Sequence, residues 1–345
     1  MTLFNKTLED LSFLELRREL KLGDIILPKG LNLPLYTTVL EKKIKRGELD
    51  FGTEEILEGI LSLYGADKDF KDKDIYRPFV KTLQPLLGYL YERRDNPLKS
   101  LIMALGLIHL DLEEEGLFLF AAERCNDLIK EGYDYSDLAL ELLDKEKPSW
   151  PVGYHRGYLY YNKERYEEAL RSWRGILDEE LPTEIRDEVF SMMVLAEKKK
   201  EYLLGRELLF KERYEEARQV FKSLLIDFPH WYDLHFYYGL SLRFLEHHSE
   251  ALGVFYGLLH TKRDDIHLYN ELALCHLFLQ EAEEARVQLI EGLKLADHPD
   301  LRLNLAISLF ELGDKKAALT EINRAKGLAP EDELIDQWQD YIERG

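Results

Sequence analysis

The stretch GYLYYNKERYEEALRSW, residues 157–173, recurs as GRELLFKERYEEARQVF at 205–221, and both copies contain the identical segment KERYEEA. Weaker copies begin at Gly239, Ala273 and Ala306, so the last three steps are 34, 34 and 33 residues. Self-similarity at a fixed period of this size is the signature of a repeat architecture. The sequence therefore predicts that the second half of the chain is built from stacked copies of one small unit.

Each copy carries small and large apolar residues at fixed places. A glycine or alanine opens the copy, an alanine follows twelve residues later, and a large apolar residue comes four residues after that. These alanines and large residues are Ala169, Ala217, Ala251, Ala285 and Ala318, and Trp173, Phe221, Phe255, Leu289 and Ile322. Two helices approach closely only where a facing side chain is small, so the small and large residues are suited to a close contact between helices.

The pattern resembles the tetratricopeptide repeat, a pair of antiparallel helices, over about residues 150–332. The resemblance implies an all-α fold, an α-solenoid of stacked helix-turn-helix units, because each unit leaves an apolar face for its neighbour. The five units it implies are 150–183, 198–231, 232–265, 266–298 and 299–332. The segment 333–345 has Leu334, Ile335, Trp338 and Ile342 at helical spacing, which predicts a capping helix.

Two segments depart from the period. The first two copies lie 48 residues apart, 14 more than one period, and the intervening segment has no proline after residue 182. Fourteen residues are about four helical turns, so we expect a helical insertion at 184–197 and one long helix at about 183–211. A separate short helix with a kink near Glu197 is the alternative.

Segment 97–149 is predicted to contain a degenerate repeat, with Ala104, Gly116 and Phe120 at the expected places, and a connecting helix.

Residues 1–96 do not show the repeat. They are predicted to form an all-helical N-terminal domain. The helices expected in and just beyond it are 8–20, 36–47, 53–64, 74–91 and 97–112. The segment GDIILPKGLNLPLY, residues 23–36, contains two prolines and two glycines, which favours an irregular connection.

The chain of 345 residues is 46% hydrophobic and carries a formal charge of −20. Residues 1–100 hold 17 basic and 17 acidic residues, so the whole excess of acid lies beyond them. Nucleic-acid binding needs clustered cations, and we therefore expect this protein not to bind nucleic acid.

The most apolar stretch, residues 101–110, is too short to span a bilayer. Two cysteines cannot form a disulfide framework, and we expect a cytoplasmic protein.

Motifs for catalysis or metal binding are not found in the sequence. It contains no phosphate-binding glycine loop, no HExxH and no GxSxG. Its histidines are not spaced as a converging set of ligands. We therefore expect no enzymatic activity, no cofactor and no metal. An enzyme with its chemistry in residues 1–100 is a weak alternative, because that region has neither histidine nor cysteine.

The resemblance also implies a concave groove, lined by the first helix of each repeat, that binds a peptide or a partner helix. The groove residues that it implies are Tyr154, Tyr158, Tyr161, Tyr202, Arg206, Phe236, Tyr237, Arg243, Asn270 and Asn304. Tyrosine gives a large contact area and a hydroxyl for backbone hydrogen bonds, but these tyrosines could instead pack between helices. We expect a non-enzymatic scaffold or adaptor whose partner is a protein or peptide, partly apolar and neutral or basic. A peptide-responsive regulatory protein whose solenoid changes shape is the alternative.

Overall fold

The computed structural model describes residues 3–22, 25–48, 51–82, 88, 90, 95–112 and 114–344. The chain divides into two compact units, Met1–Ala196 and Glu197–Gly345, called unit 1 and unit 2 below. Both consist mainly of helices, and the repeat region is an all-helical repeat fold. The domain boundaries expected from the sequence remain predictions.

Unit 1 begins with short strands rather than with helices alone. Its first elements are α1 (Leu3–Glu9), β1 (Leu11–Glu15), β2 (Leu20–Leu22), β3 (Ile25–Leu27) and β4 (Asn32–Tyr36). Strand β1 pairs antiparallel with β4, and β2 pairs with β3. The expected helix at 8–20, the all-helical N-terminal domain and the irregular connection at 23–36 were therefore wrong. Segment 11–15 takes its backbone hydrogen bonds from a partner strand about 20 residues away, which local spacing does not reveal.

Helices follow in the rest of unit 1. They are α2 (Thr37–Arg46), α3 (Thr53–Ala66), α4 (Lys73–Lys81), α5 (Pro97–His109), α6 (Leu117–Lys130), α7 (Ser136–Lys145), α8 (Trp150–Asn162) and α9 (Tyr166–Arg174). The helices expected at 36–47, 53–64 and 97–112 are confirmed. Of the helix expected at 74–91, the part up to residue 81 is confirmed, and residues 83–87, 89 and 91 lie outside the described residues.

Helix α3 is the centre of the N-terminal core. A Cβ atom on Gly59 would lie 1.8 Å from the carbonyl oxygen of Pro34 in β4, and one on Gly65 would lie 1.9 Å from that of Ile102 in α5. Gly106 of α5 approaches α3 equally closely in return. Backbone therefore touches backbone at these points, and a side chain of any size would separate the elements.

The repeat helices continue through unit 2. Helix α10 (Thr183–Phe210) is one uninterrupted helix, as the lack of proline predicted, and its residues belong to both units. The others are α11 (Tyr214–Leu224), α12 (Tyr232–Phe244), α13 (His248–Leu259), α14 (Ile266–Phe278), α15 (Ala282–Leu295), α16 (Pro299–Glu311), α17 (Lys315–Leu328) and α18 (Glu333–Arg344). From α11 onwards each helix packs against the next one in the chain.

The small and large residues of each repeat meet as the spacing predicted. A Cβ atom on Gly239 would lie 2.5 Å from the Phe255 ring, and one on Gly205 would lie 2.6 Å from the Phe221 ring. In the same way Gly157 faces Trp173. The missing side chain thus leaves the space that the aromatic ring of the second helix fills.

One turn geometry joins the two helices of all five repeats. The residue seven places after the small residue has a left-handed backbone, with φ between 58° and 82°, and these residues are Glu164, Glu212, Glu246, Gln280 and Gly313. In each case it and the next residue donate backbone hydrogen bonds to carbonyls of the preceding turn, which ends the first helix. The second helix begins two residues later every time.

The degenerate copy at 97–130 shares only part of this geometry. Asp111, seven places after Ala104, has a φ of 54° and makes the same two turn hydrogen bonds with its neighbour. Gly116, however, has a φ of 82° and precedes α6 rather than lying inside it. The second helix therefore begins four residues later than in the other copies, and Gly116 does not take the place of the buried alanines.

The last helix covers the end of the array. Ile335 and Ile342 are 1% and 0% exposed and belong to one core cluster with Ala318 and Ile322 of α17. Leu334, predicted to share this buried face, is 51% exposed instead. The capping role is carried by the two isoleucines, with Trp338 partly buried beside them.

The glycine contact can be tested within one repeat. We expect Gly239→Ala to lower the free energy of unfolding by about 1–3 kcal/mol, because its Cβ overlaps the Phe255 ring. Gly253→Ala, in the second helix of the same repeat, meets nothing within 4 Å and should raise stability by up to about 1 kcal/mol. Urea unfolding followed by circular dichroism measures both. Equal effects of the two changes would contradict the packing described.

The cap can be tested with a buried and an exposed residue of the same helix. Ile342→Ala should cost about 2–5 kcal/mol, because it leaves a cavity against α17. Leu334→Ala, which removes a half-exposed side chain, should cost well under half as much. Thermal unfolding measures the stability of the two variants. If Ile342→Ala does not lower stability, α18 does not stabilise the end of unit 2.

Candidate functional site

The first helices of successive repeats lie side by side in unit 2. Helix α12 contacts α14, α14 contacts α16, and α16 contacts α18, in addition to the contacts that each makes with second helices. We call the face that carries Arg206, Tyr237, Arg243, Asn270 and Asn304 the first-helix surface. It contains predicted groove residues from four successive repeats.

Arg206 is a cation without a carboxylate partner among the described residues. Its guanidinium carbon lies 5.8 Å from the ring centre of Tyr202 and 5.1 Å from that of Tyr237, an arrangement favourable for a cation. Its Nε atom is buried and has no hydrogen-bond partner among the described residues, none of which forms an ion pair with it. By contrast, the part-buried Arg218 and Arg243 each pair with a glutamate. The Arg206 guanidinium therefore has donor capacity that no carboxylate of the described residues uses.

Three of the predicted groove aromatics are engaged in packing. Tyr202 is only 6% exposed. The ring of Phe236 lies 5.8 Å from that of Phe255 in the core of its repeat, and the ring of Tyr161 lies 6.2 Å from that of Trp173. For these three residues the structure favours the alternative of packing between helices.

Arg243 and Glu271 form a nearly buried ion pair between α12 and α14. Their side chains are 12% and 13% exposed, and Arg243 Nε donates to Glu271 Oε2. Burial raises the pKa of the Glu271 carboxyl above its ordinary value, although the guanidinium of Arg243 opposes that rise. The pair thus joins two repeats, and Arg243 is not free to bind a ligand in the way that was predicted for it.

Asn270 and Asn304 are brought together from consecutive repeats. Asn304 Nδ2 donates to Asn270 Oδ1 over 2.8 Å. Each amide keeps further donor or acceptor capacity after this bond. The pair therefore holds two repeats together and still has amide groups able to form further hydrogen bonds.

An apolar cleft at the end of the surface was missed by the sequence prediction. Its volume is about 300 Å³, and its walls are α14, α16 and α18. The lining residues are Leu274, Leu277, Phe278, Leu303, Asn304, Ile307, Glu311, Leu334 and Trp338. Part of this cleft could have been predicted from the repeat positions. Leu274 and Ile307 occupy the place in their repeats that Arg206 occupies in its own, and Leu277 occupies the place of Arg243.

In unit 1, Tyr154 and Tyr158 form a separate polar site. Both hydroxyls donate to Glu188 Oε1, and the two rings lie 5.0 Å apart. Burial and the hydrogen bonds to Glu188 raise the pKa of both hydroxyls, which keeps them protonated as donors. The rings line a cleft of about 420 Å³ together with His155, Asn126 and charged residues of α6.

The described residues show neither a reactive cysteine nor a metal-binding cluster. Burial raises the pKa of the Cys125 and Cys275 thiols to about 12, so neither is poised as a nucleophile. Within the described ranges, no group of three or more histidine, cysteine or acidic side chains is arranged to hold a metal ion. None of the described helices is long and apolar enough to cross a membrane.

Comparison with known families gives a match inside unit 2. Residues 202–266 match the family model of the tetratricopeptide repeat. Residues 202–266 therefore contain tetratricopeptide repeats. This confirms the resemblance noted in the sequence, and the same small residue, left-handed turn and buried large residue extend the tetratricopeptide geometry to the copies that begin at 157, 273 and 306.

Solved structures that match parts of this chain include two described as tetratricopeptide proteins, and MamA. TTC0263 from Thermus thermophilus is 19% identical, with a TM-score of 0.39, over 57% of this chain and 100% of that one. YrrB, described as having an unusual peptide-binding site, is 19% identical, with a TM-score of 0.41, over 60% and 98%. MamA from Desulfovibrio magneticus is 18% identical, with a TM-score of 0.39, over 50% and 94%. No curated protein matches the sequence.

The ion pair between repeats predicts a pH-dependent defect. Arg243→Leu should destabilise the fold by about 3–5 kcal/mol at pH 7, because it leaves the Glu271 carboxylate buried and unpaired. A raised folded-state pKa gives stability that is present at low pH and lost as pH rises, and losing Arg243 raises that pKa further. The defect should therefore be smaller at pH 4.5 than at pH 7 in urea unfolding. Arg243→Leu combined with Glu271→Leu should recover most of the loss, and a defect independent of pH would contradict this account.

Proposed function

We propose that this protein is a non-enzymatic scaffold that holds a segment of a partner polypeptide against the first-helix surface. The observation that carries the proposal is the arrangement of Arg206, which rests on tyrosine rings with no carboxylate partner in the described chain. A guanidinium in this state offers hydrogen bonds to a carbonyl or carboxylate without first breaking an internal ion pair.

The neighbouring groups support a polypeptide ligand rather than a small metabolite. The Asn270–Asn304 pair can hydrogen-bond to a peptide backbone, and the apolar cleft beyond it can accept side chains. These groups are spread over four repeats along one face, which suits an extended or helical segment. Tyr154 and Tyr158 in unit 1 are proposed as a second contact surface of the same scaffold.

Selection from a phage-displayed library of random 16-residue peptides tests this function. The full chain should enrich a defined set of peptides, whose synthetic versions are then measured by fluorescence anisotropy. We expect Arg206→Ala and Tyr237→Ala each to weaken binding at least fivefold, because arginine and tyrosine are the residue types that most often dominate binding interfaces.

The matched control is Arg218→Ala, which removes a part-buried arginine of a second helix, and it should leave affinity unchanged within twofold. Thermal unfolding of every variant checks that the fold is kept. The proposed surface would be rejected if no peptide is enriched, or if the enriched peptides bind both first-helix variants with unchanged affinity.

A further inference from the structure

The apolar cleft, bounded by α14, α16 and α18, opens beside a strongly acidic depression. The depression is lined by Gln280, Glu281, Ala282, Glu283, Glu284, Glu311 and Leu312. Glu311 lines both the cleft and the depression. Apolar walls and negative charge thus adjoin at one carboxylate.

The carboxylates of the depression differ in whether they are neutralised. Glu281 shares a hydrogen bond with the imidazole of His276, and Glu283 forms an ion pair with Arg286. Glu284 and Glu311 have no ion pair or side-chain hydrogen bond within the part of the chain that the structure describes. These two residues therefore leave uncompensated negative charge beside the apolar walls.

The surrounding chain reinforces this charge. Residues 281–345 contain 15 acidic and 8 basic residues, a formal charge of −7 in 65 residues. Burial raises the pKa of the Glu311 carboxyl, since its charged form is partly desolvated beside the cleft. A cation placed next to Glu311 would relieve that cost and would gain from the field of the whole segment.

We propose that this cleft binds a segment of a partner protein in which one or two apolar side chains enter the cleft and adjacent lysine or arginine side chains contact Glu311 and Glu284. The proposal rests on the scaffold function proposed above and names the chemistry of the partner at this end of unit 2. A second copy of this chain is a poor occupant, because two molecules of charge −20 repel each other.

Three synthetic, fluorescently labelled 12-residue peptides test the chemistry on the full chain. The first has leucine and phenylalanine flanked by lysines, the second replaces the lysines with glutamates, and the third keeps the lysines but replaces the apolar residues with serine. The first should bind at least tenfold more tightly than either of the others, and its affinity should fall between 50 and 300 mM salt. Equal affinity of the first and third, or tighter binding of the second, would overturn the proposal.

Matched exposed variants locate the site. Leu334→Lys and Glu311→Lys should each weaken the first peptide at least tenfold, whereas Leu328→Lys and Glu331→Lys, which do not line the cleft, should change its affinity less than twofold. If Leu334→Lys behaves like Leu328→Lys, the cleft is not the site. If the chain self-associates in sedimentation and Leu334→Lys makes it monomeric, the occupant is a second copy and the proposal is wrong.

The two proposals fail in different ways. One outcome would reject this inference but not the scaffold function. In it, the library peptides contain no lysine or arginine and bind more weakly to Arg206→Ala, and the first synthetic peptide binds no more tightly than the others. A library that enriches nothing, while the first synthetic peptide binds and responds to Leu334→Lys, would reject the first-helix surface as a general peptide site and support the cleft alone.

Discussion

The close contact between a glycine of one helix and an aromatic ring of the next determines how each of the first three repeats is built. Because Gly239 has no side chain, the Phe255 ring lies directly against its backbone, and the helix is fixed in rotation as well as in distance. Each residue turns a helix by about 100°, so residues two or three places before the small residue and one place after it lie to one side of that contact. The first-helix surface extends over four repeats because a small residue, glycine or alanine, recurs at this contact in each of them.

The repeat region could be predicted because its signal is periodic, whereas other features depend on distant partners. Pairing of 11–15 with 32–36 leaves no period of its own, so a helix was predicted in its place. The inward position of Tyr202 was predictable, but its near-complete burial depends on rings from other helices, such as Trp231. The apolar cleft needs Trp338 from the capping helix, which lies outside the repeat period and was therefore not counted.

The charges of the first-helix surface differ between its two ends. Among the described residues, Arg206 at one end has no carboxylate partner, while Glu311 at the other end has no ion pair or side-chain hydrogen bond. Between them, the Arg243–Glu271 pair is internally neutral and joins neighbouring repeats. If a segment binds as proposed, one with its acidic residues at one end and its basic residues at the other would be favoured in one orientation over the reverse.

The turn inside each repeat contains a position at which substitution could raise the stability of the array. Four of the five turns place a glutamate or glutamine in the left-handed region, and only the fifth uses glycine. The left-handed conformation costs a residue other than glycine about 1 kcal/mol or more. A residue better suited to that conformation would therefore raise the free energy of unfolding at these four sites. They also lie at the ends of first helices, away from the cores of the hairpins. Evolution or a designer could thus stabilise the array at its turns without changing the residues of the first-helix surface.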